Sequence, residues 1–247
     1  MRLLRPLITA AGLLLAWELL VRLSGVPSFI LPGPLAVFEA LTTRYDILLP
    51  HAATTAAEIV AGILLGGTLG ALAAMLLAAS GVARRWLLPL LVVSQALPVF
   101  ALAPLLVLWL GYGMASKVAM AVLIIFFPVT TAFFDGLRRC EPGWLELARV
   151  MNARPVAVLW QIRVPAALPA MASGLRVAAA VAPIGAVIGE WVGSSAGLGY
   201  LMLQSNARMQ TATMFAALLI LAGMALALYG LVDHLARRLV RWQPDKL

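Results

Sequence analysis

Charge is scarce in this chain. Asp, Glu, Lys and Arg make up 11% of 247 residues, where a soluble domain carries about a quarter. With 63% apolar residues and a mean hydropathy of +1.00, no single water-soluble core could hide the apolar surface, and the solvent must be lipid. The same balance excludes a disordered chain and a fibre. Cysteine is down to one, Cys140, so no intrachain disulfide can form. His51 and His234 are the two histidines, far apart and without Cys, Asp or Glu at ligand spacing, which leaves no metal motif. No G-x-x-x-x-G-K-[ST] occurs, so the chain cannot cradle ATP phosphates itself. No Ser/His/Asp set, H-E-x-x-H or paired acidic motif lies within the apolar runs, which argues against an intramembrane enzyme, and no cofactor is expected. Gly197-Leu198-Gly199 hints at a dinucleotide loop, but no helix in the required pattern is expected after it.

What is present is a series of apolar runs, each long enough to cross a bilayer in about 20 residues. Gaps between charges place spans at about 54–79, 86–110, 114–134 and 212–232. Two weaker runs, 7–23 and 174–191, contain charges near their ends and bring the total to six. The first follows Arg2 and Arg5 like a secretion signal, but no small-x-small cleavage site closes it, so it reads as an uncleaved span. Six spans put both termini on one side. With the amino terminus in the cytoplasm, Arg22, Arg44, Lys117 and Arg208 fall outside and the other 14 of the 18 basic residues inside, as the positive-inside rule demands. The net charge of +8 therefore reads as topological anchoring, not as a face for nucleic acid. The whole chain, 1–247, reads as one transmembrane domain.

Polar and small residues inside the spans carry further expectations. Gly62, Gly66 and Gly70 recur every fourth residue, a spacing that lets helices approach closely. Pro89, Pro98 and Pro104 interrupt the third span, and Pro183, Gly185 and Gly189 the fifth. Glu18, Glu58 and Glu190 lie within about two turns of the outer ends, from where a carboxylate reaches water. Glu190 follows the interrupted fifth span and is a candidate for the outer gate. Gln95, one turn before Pro98, is a candidate to face a pathway. Arg176 reads as an anchor at the inner end. The outer segment after Ser24 opens with Pro27, Pro32 and Pro34 and then offers an amphipathic stretch, Leu35–Leu41, expected to lie in the interface.

The longest inner segment, 135–173, is the most informative. Pro142 and Gly143 open a short helix with Trp144, Ala148 and Met151 on one face. It is expected to stop at Asn152, a residue that tolerates a left-handed backbone. A second short helix is expected to begin at Pro155, with Val156, Leu159 and Trp160 on its apolar face, and to end at Pro165 and Pro169. Such a pair has no interior of its own. Patterning leaves open whether it packs on the bundle or receives a partner.

The run Glu146-Leu147-Ala148-Arg149-Val150-Met151-Asn152, followed by Ile162-Arg163-Val164-Pro165, resembles the cytoplasmic loop of bacterial ABC importer permeases. The family pattern is Glu-Ala-Ala, three residues and Gly; here Leu147 replaces the first Ala and Asn152 the Gly. Leu97-Pro98, Trp109-Leu110-Gly111-Tyr112-Gly113, Phe126-Phe127-Pro128, Gly174-Leu175-Arg176 and Gly189-Glu190-Trp191-Val192-Gly193 resemble the nitrate/sulfonate/taurine branch, which includes permeases for the hydroxymethylpyrimidine precursors of thiamine. The resemblance implies an all-α membrane protein with the six-helix type I importer permease fold. It implies two permease copies around one pathway, an extracytoplasmic solute-binding protein and a separate ATPase subunit that grips the loop. Glu146, Leu147, Ala148, Met151, Asn152 and Pro165 would form that coupling element; Gln95, Pro98 and Glu190 would belong to the pathway. The cargo would be a small polar or anionic solute, moved across the bacterial inner membrane. The competing expectation is a self-sufficient secondary transporter or channel that needs no ATPase.

Overall fold

A computed structural model describes residues 4–242, and among them every regular element is helical. The order is α1 (Leu4–Ser24), α2 (Pro34–Thr43), α3 (Tyr45–Ala79), α4 (Gly81–Ala96), α5 (Val99–Leu110), α6 (Met114–Arg138), α7 (Pro142–Val150), α8 (Pro155–Val158), a π-turn (Leu159–Arg163), α9 (Val164–Gly193), α10 (Leu198–Ala207) and α11 (Thr211–Leu239). Arg2 and Lys246, two of the expected inner anchors, lie outside the described residues. The chain divides into two compact units. One comprises the residues up to Thr55 with Ser195–Gly223; the other comprises Ala56–Ser194 with the chain from Met224.

Among the described residues, α3, α6, the α8–α9 rod and α11 are long and apolar enough to cross a membrane. The α4–α5 pair makes a fifth candidate. The expected 7–23 span lies within α1. The expected single helix over 86–110 is instead two helices bent by 103°. The cause is local: Leu97 precedes Pro98, whose ring disfavours a helical backbone at the residue before it. Leu97 accordingly sits at φ −81°, ψ 122°, and Pro98 opens α5 as its N-cap.

In the first unit, Pro34 starts α2 at a position where its missing N–H costs nothing. Trp17 stacks on Phe215 at 5.8 Å. Arg44 Nη1 donates to Gln210 Oε1 at 3.1 Å, and Thr211 Oγ1 to the Ser28 carbonyl at 2.9 Å. A helix, α10, begins at Leu198, inside the Gly197-Leu198-Gly199 run and not after it. Its first amides are already used. The Gly197 N–H donates to His51 Nδ1 (2.9 Å) and the Leu198 N–H to Thr55 Oγ1 (2.8 Å).

In the second unit α6 is the central helix. A methyl added at Gly62 would stand 2.5 Å from the Ala121 Cβ, at Gly66 2.9 Å from Ile125 Cγ2, and at Gly70 3.0 Å from the Phe126 carbonyl oxygen, so α3 lies directly on α6. On the other side, methyls added at Gly174, Gly185 and Gly189 of α9 would stand 2.7–3.0 Å from Pro128, Ala121 and Lys117 of α6. Small residues thus line both faces of α6, the arrangement by which helices associate in lipid without a hydrophobic drive. Ile59, Ala121, Ile125, Val129, Ala178, Ala182 and Ala186 form the core between these helices. A second cluster, Ala74, Leu77, Phe133, Phe134, Leu137 and Ala167, packs the C-terminal ends of α3 and α6 together.

Two expectations about α9 need correcting. Gly185 and Gly189 do not break it; α9 runs without interruption to Gly193, and these glycines serve close packing. Pro165 and Pro169 do not end the preceding helix either, because α8 continues through the π-turn into α9 as one rod from Pro155 to Gly193. The wider turn explains this: the Val164 N–H reaches back five residues to the Leu159 carbonyl, giving room just where the Pro165 ring would otherwise meet the turn before it. Pro169 then costs one hydrogen bond within a helix whose flank, at Ala167, Ala172 and Gly174, is buried.

Candidate functional site

The α7–α8 knob is built by one C-terminal cap. The Ala153 N–H donates to the Ala148 carbonyl (2.9 Å) and the Asn152 N–H to the Arg149 carbonyl (2.9 Å). That is the paired Schellman arrangement, with Asn152 in the left-handed position at φ 56°. Ala148 is 5% exposed and faces inward, beside Ala78 and Ala79 of α3 and Leu159, at a hollow whose rim includes the exposed Ala153. The other face of α7 is open: Leu147 is 60% and Met151 73% exposed, with Trp144 and Val150 beside them. Glu146 is also exposed, and Pro165 is half-buried where the rod begins. The sequence grouped Trp144, Ala148 and Met151 as one face. The structure separates Ala148, which holds the knob together, from the exposed residues.

Cys140, between α6 and α7, is buried, and burial pushes its thiol above the ordinary range, opposed in part by the Arg163 charge. Arg176 is more than an anchor: its Nε donates to Asp233 Oδ1 at 2.7 Å, while Arg237 Nε donates to the other oxygen at 2.9 Å.

The candidate pathway residues are not gathered in one place. Gln95 is exposed near the end of α4, its Nε2 3.4 Å from Ser94 Oγ, and Pro98 forms the bend. Glu190 is 1% exposed, inside the second unit. The expectation that the acids reach water holds for Glu18, which pairs with Arg22 at 2.6 Å on the surface. It fails for Glu58 and Glu190. Glu58, on α3, is 0% exposed, and Lys117 Nζ lies 3.1 Å from its Oε1. The Glu190 carboxyl, on α9, adjoins that of Glu58. Lys117 is itself 6% exposed, so it is not an outer surface anchor. It sits one turn inside α6, its backbone against Gly189. The snorkelling argument fails because close packing at the glycines seals the route outward. The sequence signal was there, one base and two acids each just inside an apolar span, but their pairing is tertiary.

Comparison with known proteins agrees with this architecture. The family model described as binding-protein-dependent transport system inner membrane component matches residues 62–241. A probable ABC transporter permease protein of Haemophilus influenzae is 54% identical over 239 residues, 97% of this chain and 98% of that one. The formylaminopyrimidine transport permease protein ThiX of Halalkalibacterium halodurans is 35% identical, over 97% of this chain and 96% of its own. The riboflavin transport system permease protein RibX of Chloroflexus aurantiacus is 37% identical, over 96% and 89%. Among solved structures, a chain of the inward-facing MetNI methionine ABC transporter shares the fold, with a TM-score of 0.69 over 78% of this chain and 96% of that one at 18% identity. Helices of membrane length, the family match and relatives aligned along nearly the whole sequence lead to one assignment: the chain belongs to the inner-membrane components of binding-protein-dependent transport systems, as a multi-pass, non-catalytic permease subunit of an ABC importer.

Proposed function

We propose that this permease pairs with a second copy of itself and imports a small nitrogen heterocycle of the pyrimidine type, driven by a separate ATPase subunit that grips the α7–α8 knob. The observation that carries the coupling role is the open apolar face of α7. Leu147, Val150, Met151 and Trp144 are exposed while Ala148 and the Asn152 cap hold the helix rigid beneath them. Exposed apolar groups on a rigid element are the features of a docking surface, and rigidity lets a push on the knob reach the α8–α9 rod. The cargo class rests on relatives named for a pyrimidine and for riboflavin, both heteroaromatic; sulfonates, taurine and nitrate are the competing cargoes. Both termini lie in the cytoplasm, supported by the distribution of arginine between the helix ends.

The test is uptake by proteoliposomes holding the permease, its ATPase and its binding protein. Glu146→Arg and Leu147→Asp change exposed side chains and leave the internal packing alone. Each is expected to keep ATP hydrolysis within about two-fold and to lower uptake at least ten-fold. Ala148→Trp is a poorer probe, since it would break the knob itself. Normal coupling in both surface variants overturns the docking role, and uptake by the permease without any ATPase overturns the importer reading in favour of a self-sufficient transporter. Preferential uptake of sulfonates, taurine or nitrate over pyrimidines and flavins overturns the cargo class.

A further inference from the structure

We propose that the hollow between the start of α4 and the end of α6 binds the phosphate headgroup of an anionic phospholipid of the surrounding bilayer. Arg84 and Arg85 of α4 and Arg138 of α6 line it, with Leu88 and Pro89 beside them, and its volume is about 810 Å³. All three arginines are exposed. Among the described residues no carboxylate pairs with any of them; the ion pairs there engage Arg22, Lys117, Arg176 and Arg237 instead.

The placement of Arg84 and Arg85 runs against the electrostatics of a helix. A helix start carries partial positive charge and unsatisfied N–H groups, and both favour an acid. α4 has no acid in its first turn, and Ser80 Oγ accepts from one amide, that of Ala83, at 3.2 Å. Two arginines at this end and a third from the last turn of α6 concentrate positive charge with nothing to offset it. Arg138 is held in place, its guanidinium carbon 5.4 Å from the centre of the buried Phe134 ring. A phosphate supplies the missing negative charge, and its oxygens match the guanidinium fork.

The surroundings favour a lipid over a dissolved anion. α6, of membrane length, ends at Arg138, and the α4–α5 pair starts at Gly81, so the hollow lies at the membrane surface whichever leaflet is there. No residue of α4 is buried. Trp86 and Leu90, just past the arginines, are 71% and 63% exposed, an apolar surface for acyl chains with a tryptophan at headgroup level. Basic hollows between spanning helices suit lipid phosphates. No acid lines this one to meet choline or ethanolamine, so a headgroup of net negative charge is preferred.

The test is native mass spectrometry of the full-length permease released from nanodiscs of equal parts phosphatidylglycerol and phosphatidylcholine. The unsubstituted protein should retain phosphatidylglycerol preferentially. An arginine near anionic lipid is worth about five-fold in binding, so Arg84→Gln with Arg85→Gln should cut retention at least ten-fold, and Arg138→Gln alone about five-fold. Arg84→Lys with Arg85→Lys keeps the charge and should keep most of the lipid. The charge-matched pair Arg238→Gln with Arg241→Gln, at the end of α11, should stay within about two-fold. Equal retention of the two lipids by the unsubstituted protein overturns the proposal. So does an equal loss from the two glutamine pairs, which would mean diffuse surface charge, or an unchanged result for Arg138→Gln, which would confine any site to α4. Displacement of the lipid by millimolar inorganic phosphate overturns it in favour of a soluble anion. Variants that keep the lipid but no longer hold the ATPase subunit overturn it in favour of a protein contact.

Discussion

Replacing Gly185 by alanine tests whether α6 is clamped between two glycine-lined helices. The added methyl would stand 2.8 Å from the Ala121 Cα and 3.3 Å from the Ala121 nitrogen, both backbone atoms of α6. No rotamer change relieves such a contact. Ordinary contact begins at 3.4 Å, so α9 or α6 must move by several tenths of an ångström at a place where Ala121, Ala182 and Ala186 are already fully buried. Overpacking of this kind costs about 1–3 kcal/mol, and for a chain of this size roughly 2–4 °C of melting temperature per kcal/mol. Gly223 of α11 is the control, because a methyl there meets nothing within 4 Å, and alanine is the better helix former. Melting of the solubilised protein, followed by size-exclusion chromatography, should drop clearly for Gly185→Ala and hold or rise for Gly223→Ala. Equal melting of the two variants would show that α6 and α9 are not packed backbone to backbone and would refute the reasoning.

Two further perturbations address the knob and its root. Asn152→Val places a β-branched side chain at φ 56° and should cost roughly 1–2 kcal/mol locally; limited proteolysis between α7 and α8 should speed up, and Asn152→Gly should not show this. Cys140 should resist alkylation in the folded protein at neutral pH and react quickly once unfolded, because burial both shields the thiol and raises its pKa. The sign follows from linkage: a buried group kept neutral when folded stabilises below its ordinary range, and stability should decline as pH climbs past it.

Much of the fold could be read before the structure because its signals are local. Apolar length marks α3, α6 and α11, and an amide-free proline with the residue before it marks the ends of α2, α7 and α8. Asn152 was legible for the same reason, since few residues accept its backbone angles. The prolines of α4–α5 and α9 show where local reading stops. Leu97-Pro98 breaks a helix and Val164-Pro165 does not, although each places proline after an aliphatic residue. The difference is the π-turn before Pro165 and the packing of Ala167, Ala172 and Gly174, and both depend on neighbours distant in sequence. The spacing of Gly62, Gly66 and Gly70 suggested a close approach but could not name α6 as the helix approached.

The charged residues show the same boundary more sharply. From sequence, a lysine just inside a span is an anchor and a glutamate near a span end is a swimmer toward water, because each is judged alone against lipid. Judged together the preference reverses. Gly189 brings α9 so close to α6 that the Lys117 backbone has no room to withdraw, and the nearest counter-charge is then Glu58, at 3.1 Å. Once that pair forms, Glu190 is committed to the same enclosure by its place one residue after Gly189 on a continuous helix. The packing glycines and the buried charges are therefore one feature. A change at Gly189 should be felt at Lys117, and removing the charge of Lys117 should take from the buried Glu58 its ion-pair partner in a contact that the glycines keep closed.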